Sequence, residues 1–183
     1  MNLPNLISLA RLVAVPLIVW LILREEWLAA FWLFVAAGVS DAVDGFIAKK
    51  FGSSTVLGSF LDPLADKALI VAIYVTLGYK GHLVVWLVIM VVFRDLLIIG
   101  GALVFQAITR TLEMAPLMIS KVNTVAQIVL AAVILGTDGF AVDVGVFRDL
   151  LIYLVAITTF ASGAAYVVTW TRMASAIEEG KSP

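Results

Sequence analysis

Apolar residues in this chain come in long unbroken runs. They show neither the alternation of a half-buried strand nor the one-sided stripe of a surface helix. Six runs stand out: Leu3–Leu23, Leu28–Ala48, Val56–Gly78, His82–Ile108, Leu117–Leu135 and Phe147–Trp170. A helix rises about 1.5 Å per residue, so about 20 residues cross a bilayer core. Each run is near or above that length. Short polar connectors separate them: Arg24–Glu26, Lys49–Ser54, Gly78–Gly81, Thr109–Pro116 and Gly136–Gly145, with a polar tail from Arg172. The pattern predicts an all-α integral membrane protein, a six-transmembrane-helix bundle forming a single domain over residues 1–183.

Composition agrees. The chain is 63% hydrophobic and 14% charged, with a mean hydropathy of +1.11. A soluble domain of 183 residues could not hide that much apolar surface. A net charge of −1 offers no basic footprint for nucleic acid. The absence of cysteine excludes disulfides, thiolate zinc sites and thiol chemistry. Six spans place both termini on one side. That side carries Lys49, Lys50, Arg110, Arg172 and Lys181, against Arg24, Lys80 and Arg148 opposite. The basic excess predicts cytoplasmic N and C termini. The first run is too long for a signal peptide, and no Arg/Ser-rich leader precedes it. The expected location is a bacterial inner membrane, with the active site toward the cytoplasm.

Charges inside the spans change the picture. Arg11, Asp41, Asp44, Asp62, Asp66, Lys67, Arg94, Asp95 and Lys121 all fall within apolar runs, where each costs at least ~2.5–3.5 kcal/mol near the bilayer centre. Counted along their helices, they converge on the half of the bundle nearer the termini, which predicts a polar cavity there. Interhelical ion pairing alone would not explain the shared depth. Asp41 and Asp44 are spaced i, i+3, and Asp62 and Asp66 i, i+4, so each pair shares a helix face. The short connector makes the two helices antiparallel neighbours. Four close carboxylates would need cations. Oxygen ligands with no cysteine, and with the one histidine in a connector on the other side, suit hard ions such as Mg²⁺ or Mn²⁺. Two such ions can clamp a phosphoryl displacement. Gly45, Ala48 and Gly58 form a strip of small residues beside the carboxylates, with room for a ligand against the backbone.

The segment Asp41–Asp66, DAVDGFIAKKFGSSTVLGSFLDPLAD, resembles the signature of the CDP-alcohol phosphatidyltransferases, D-x2-D-G-x2-A-R-x8-G-x3-D-x3-D. Asp41, Asp44, Gly45, Ala48, Gly58, Asp62 and Asp66 match in type and spacing, and Lys49 replaces the usual Arg. The charge survives, but the planar fork is lost. PNLISLAR (Pro4–Arg11) looks like the family's first helix. SFLDPLADKALI, FRDLLIIGG and MISKVNTVAQ look closest to the mitochondrial-type (CMP-forming) cardiolipin synthase branch.

The resemblance implies that Asp41, Asp44, Asp62 and Asp66 hold two divalent cations, Mg²⁺ or Mn²⁺, and that Asp66 is the general base. It implies a CDP-lipid site that includes Gly45, Ala48, Lys49 and Gly58. Asn5 and Ser8, spaced i, i+3 on the first helix, would line it. Arg11, Arg94 and Lys121 are the cations available for an acceptor phosphate. The implied reaction transfers a phosphatidyl group from CDP-diacylglycerol to phosphatidylglycerol, giving cardiolipin and CMP, in a homodimer surrounded by membrane lipids. The alternative acceptor is glycerol 3-phosphate, as in a phosphatidylglycerol-phosphate synthase. A cation transporter is a remote alternative, disfavoured because the far halves of the spans are almost wholly apolar.

Overall fold

The computed structural model describes the backbone of residues 3–51, 56–109 and 117–178, and the side-chain surroundings of 9–40, 67–104, 117–173 and 175. Six helices occupy nearly all of it: α1 Leu3–Leu23, α2 Trp27–Phe51, α3 Val56–Tyr79, α4 Val85–Thr109, α5 Met118–Phe140 and α6 Gly145–Glu178. The predicted all-α class is therefore observed. Three stretches are long and apolar enough to cross a membrane by themselves: Val85–Val104, Met118–Phe140 and Gly145–Met173. The other three helices contribute the shorter apolar stretches Leu9–Leu23, Trp27–Ser40 and Lys67–Tyr79 among the described residues. Large apolar side chains such as Val13, Ile89, Phe93, Leu103, Ile157 and Phe160 stay outside the bundle, as expected for a protein whose solvent is lipid.

Two boundaries differ from the sequence expectation. Helix α5 continues through Gly136, Asp138 and Gly139 to Phe140, where a connector was expected. These residues face packing partners. A Cβ on Gly139 would lie 3.1 Å from the Leu28 backbone, and one on Gly136 would lie 3.2 Å from the Phe31 ring. Their glycines allow α5 to approach α2 closely, as small residues do between membrane helices. Helix α5 ends where Ala141 turns left-handed, with its N–H bonded to the Thr137 carbonyl. Helix α6 runs past Arg172 into the polar tail, because a helix needs apolar residues only where it is buried or in lipid.

Helix contacts close a ring in the order α1, α3, α4, α6, α5, α2, with α3 and α5 also touching across it. Among the described residues α2 and α3 make no direct contact, and α1 packs against both. A short connector guarantees proximity only at its own end. The expected apposition of the two motif-bearing helices falls on residues 41–66, outside the described side chains. The core inside the ring holds Ile18, Ile22, Ile73, Tyr74, Leu77, Leu87, Val91, Leu130, Ile134, Leu135 and Val155.

One end of the ring is sewn together by its three short connectors. Lys80 Nζ lies 2.5 Å from Glu25 Oε1, and His82 Nδ1 lies 2.6 Å from Asp138 Oδ2. Arg148 donates to the His82 carbonyl, and the Trp27 ring packs on His82 at 4.4 Å. The α1–α2, α3–α4 and α5–α6 connectors thus share one end, and successive helices alternate in direction. The opposite end holds the starts of α1, α3 and α5 and the finishes of α2, α4 and α6. Of the tryptophans, Trp20, Trp32 and Trp86 are about half exposed. Trp27 and Trp170 are partly buried, Trp170 beside Tyr166 and over Gly101.

Candidate active site

Toward the end away from those connectors the helices enclose a cavity of about 160 Å³. Its wall takes Arg11 from α1, Phe34, Ala37 and Gly38 from α2, Lys67, Leu69 and Ile70 from α3, Asp95 from α4, and Thr124, Gln127 and Ile128 from α5. Five helices therefore reach one space, and of the in-span charges with described side chains Arg11, Lys67 and Asp95 stand on its largely apolar wall while Arg94 and Lys121 do not. Lys67 is the first described residue after Asp66, so the wall adjoins the end of the motif-bearing segment.

The charged residues here form a network. Lys67 Nζ lies 2.5 Å from Asp95 Oδ1, and Arg94 Nη1 donates to the same oxygen at 2.6 Å. Arg94 Nη2 donates to Ser120 on α5 at 2.7 Å and to Ser162 on α6 at 2.5 Å, with Nε adding a 3.2 Å bond to Ser162. One carboxylate and one guanidinium thereby tie together α3, α4, α5 and α6. Arg94 and Asp95 are 2% and 3% exposed. Burial at that level is tolerable only because opposite charges and hydroxyls surround each ion. Next to this network Asn123 Oδ1 accepts from Thr158 and Thr159, and Tyr74 donates to the Gln127 carbonyl. Two buried polar atoms on wall residues, Asp95 Oδ2 and Gln127 Nε2, have no hydrogen-bond partner among the described residues. Buried groups of this kind are ordinarily satisfied by protein, ordered water or a bound polar group.

The expected acceptor-phosphate cations are distributed unequally. Arg11 is buried and on the cavity wall. Arg94 is set behind Asp95, off the wall, with its donors engaged by Asp95, Ser120 and Ser162. Lys121 is exposed on α5 and also off the wall. Asn5, Ser8, Asp41, Asp44, Gly45, Ala48, Lys49, Gly58, Asp62 and Asp66 fall within α1, α2 and α3, but their side chains lie outside the described residues. Thr124 and Gln127 are wall residues that the charge pattern does not single out. A signal for them is present, since Ser120, Asn123, Thr124 and Gln127 recur at helical spacing as a polar stripe on α5.

Among the described residues no three His, Asp or Glu side chains stand close enough together to hold a metal ion, and the four motif aspartates lie outside the described side chains. His82, the one histidine of the chain, is held by Asp138 at the opposite end, and there is no cysteine. A hard cation such as Mg²⁺ or Mn²⁺ would take oxygen donors, and Asp95, the carboxylate on the described wall, is already paired with Lys67 and Arg94.

Comparison with known proteins bears on the same residues. The sequence profile of the CDP-alcohol phosphatidyltransferase family matches residues 1–170. The chain is 39% identical to a chloroplastic CDP-diacylglycerol–glycerol-3-phosphate 3-phosphatidyltransferase of rice, over 94% of this chain and 58% of that one. It is 36% identical to the CMP-forming cardiolipin synthase of Rattus norvegicus, over 90% of this chain and 60% of that one. It is 33% identical to a CDP-diacylglycerol–glycerol-3-phosphate 3-phosphatidyltransferase of Bacillus subtilis, over 90% of this chain and 93% of that one. The chain thus spans less than two thirds of the length of the rice and rat relatives. With a family profile covering nearly its whole length and apolar helices to match, this membrane protein belongs to the CDP-alcohol phosphatidyltransferase family.

Proposed function

We propose that the protein transfers a phosphatidyl group from CDP-diacylglycerol to phosphatidylglycerol, forming cardiolipin and releasing CMP. The observation that carries this reading is the cavity beside the motif segment. Among the described residues its wall is apolar except for Arg11, Lys67, Asp95, Thr124 and Gln127, which suits an acceptor with a phosphate-bearing headgroup on a lipid body. In the reaction the acceptor hydroxyl oxygen bonds to the phosphatidyl phosphorus as the bond from that phosphorus to the CMP oxygen breaks. Asp66 takes the hydroxyl proton. Asp41, Asp44, Asp62 and Asp66 would hold two divalent cations, Mg²⁺ or Mn²⁺, whose charge stabilises the transferring phosphoryl group and departing CMP. Gly45, Ala48 and Gly58 would leave space for the cytidine, Lys49 would meet the nucleotide phosphates, and Asn5 and Ser8 would line the same site. Arg11 meets the acceptor phosphate from the cavity wall, whereas Arg94, engaged behind Asp95, and Lys121, exposed on α5, stand off the wall and do not contact it. All six helices span the membrane, with both termini and the cavity toward the cytoplasm, and the protein is a homodimer.

A second reading takes glycerol 3-phosphate as the acceptor. It is favoured by the Bacillus subtilis relative, which is matched over 93% of its length. The deciding experiment incubates the purified protein with CDP-diacylglycerol, Mg²⁺ or Mn²⁺, and one acceptor at a time, and follows CMP release. Release with phosphatidylglycerol supports the first reading. Release only with glycerol 3-phosphate replaces it with the second.

A further inference from the structure

The Lys67–Asp95 pair remains without a role. Lys67 stands one residue beyond Asp66 on α3 and is on the cavity wall. Its Nζ meets Asp95 Oδ1 at 2.5 Å, yet its side chain keeps 29% exposure against 4% for Asp95. An ammonium group has three N–H donors, so two remain after the bond to Asp95. Arg94 differs in each respect. It is buried, off the wall, and engaged with Asp95, Ser120 and Ser162. Lys121 is off the wall too. An anion entering the cavity therefore meets Lys67 and Arg11 before any other cation among the described residues. Among the described residues the wall there carries two cations, Arg11 and Lys67, and one carboxylate, that of Asp95. Asp95 is in turn anchored from behind by Arg94, so it holds the Lys67 ammonium at a fixed place.

We propose that Lys67 binds the phosphate of the acceptor and that Asp95 is a positioning residue acting through Lys67. This rests on the phosphatidyl-transfer reading above. The shared chemistry is a phosphate oxygen, a monoester in glycerol 3-phosphate or a diester in phosphatidylglycerol.

The test uses the full chain in lipid nanodiscs, with CDP-diacylglycerol and Mn²⁺ and the two acceptors in separate arms. The arm that turns over identifies the source of the phosphate. Lys67→Met keeps the Asp95–Arg94 pair and so keeps the buried network. It raises the acceptor KM about tenfold or more, the weight of a charge-assisted hydrogen bond, and leaves the KM for CDP-diacylglycerol unchanged. Lys67→Arg restores most of the loss. Asp95→Asn raises the same KM, Asp95→Glu restores it, and Lys67→Met with Asp95→Asn is no worse than Lys67→Met alone. A fall in kcat with no change in acceptor KM, or additive effects in the double variant, would overturn the proposal in favour of a purely structural tie. A second measurement needs no turnover. Glycerol 3-phosphate or phosphatidylglycerol raises the melting midpoint of the wild type relative to glycerol or diacylglycerol, and Lys67→Met abolishes the rise. An equal rise in Lys67→Met, or no rise in the wild type with either phosphate, overturns the proposal. Absence of CMP release by the wild type in both arms rejects the phosphatidyl-transfer reading instead, and the melting experiment still decides the role of Lys67.

Discussion

Gly139 offers a sharp test of how α5 and α2 meet. In an exposed helix, replacing Gly by Ala stabilises by about 0.8–1.0 kcal/mol, because the glycine backbone loses more entropy on folding. At Gly139 that gain meets a steric cost. The added Cβ would sit 3.1 Å from both Cα and N of Leu28 and 3.3 Å from the Trp27 carbonyl carbon. These are backbone atoms at the start of α2, so no rotamer change relieves the contact and the helices must separate by a few tenths of an ångström. Overpacking of this kind costs about 1–3 kcal/mol. Gly139→Ala is therefore expected to lower stability by about 0–2 kcal/mol net. Gly139→Val adds two methyl groups and a poorer helix former, and is expected to cost at least about 2 kcal/mol. Gly100 is the control, exposed on α4 with no neighbour within 4 Å of the place a Cβ would take; Gly100→Ala should stabilise by up to about 1 kcal/mol. The assay is thermal unfolding in detergent micelles followed by far-UV circular dichroism, where 1 kcal/mol moves the midpoint by about 2–4 °C for a chain of this size. The expected order is Gly100→Ala highest, then wild type, Gly139→Ala and Gly139→Val. Gly139→Val melting with the wild type would show that the two helices do not pack through this glycine.

Asp95→Leu leaves the Arg94 and Lys67 cations without their shared carboxylate, and should lower stability by about 3–5 kcal/mol in the same melt; a midpoint loss below about 1 °C, roughly 0.3 kcal/mol, would deny the network its structural weight. Glu25 is expected to make stability depend on pH through Lys80, whose hydrogen bond and charge hold its carboxyl below the ordinary value of 4.5. A lowered folded-state value means the contribution is present above that ordinary value and fades as pH falls through the folded value. The midpoint gap between wild type and Lys80→Met should accordingly narrow in acid, and a gap that widens would reverse the assignment. Asp66→Asn should abolish CMP release while CDP-diacylglycerol still binds, and unchanged turnover would reject Asp66 as the base.

The cavity-wall residues show where reading the chain succeeds and where it stops. Arg11, Lys67 and Asp95 declare themselves because ionisable groups in apolar runs are costly and need a reason to be there. Their partners do not. Asp95 adjoins Arg94 in sequence, but its second cation, Lys67, comes from another helix. Lys121 reads like Arg11 along the chain, yet one is exposed and the other is buried on the wall. The rotation of each helix separates them, and no linear spacing states it.

Hydropathy alone was enough for six helices, their order and the depth at which charge gathers, since burial of backbone polar groups in lipid leaves a long apolar run little choice but a helix. The aspartate-and-glycine spacing was enough for the family. The ring order of the helices, the extension of α5 through Gly139, and the selection of Lys67 over Arg94 at the cavity wall came from packing. They depend on which faces meet in three dimensions, and close backbone approach and shared carboxylates are decided between helices rather than within them.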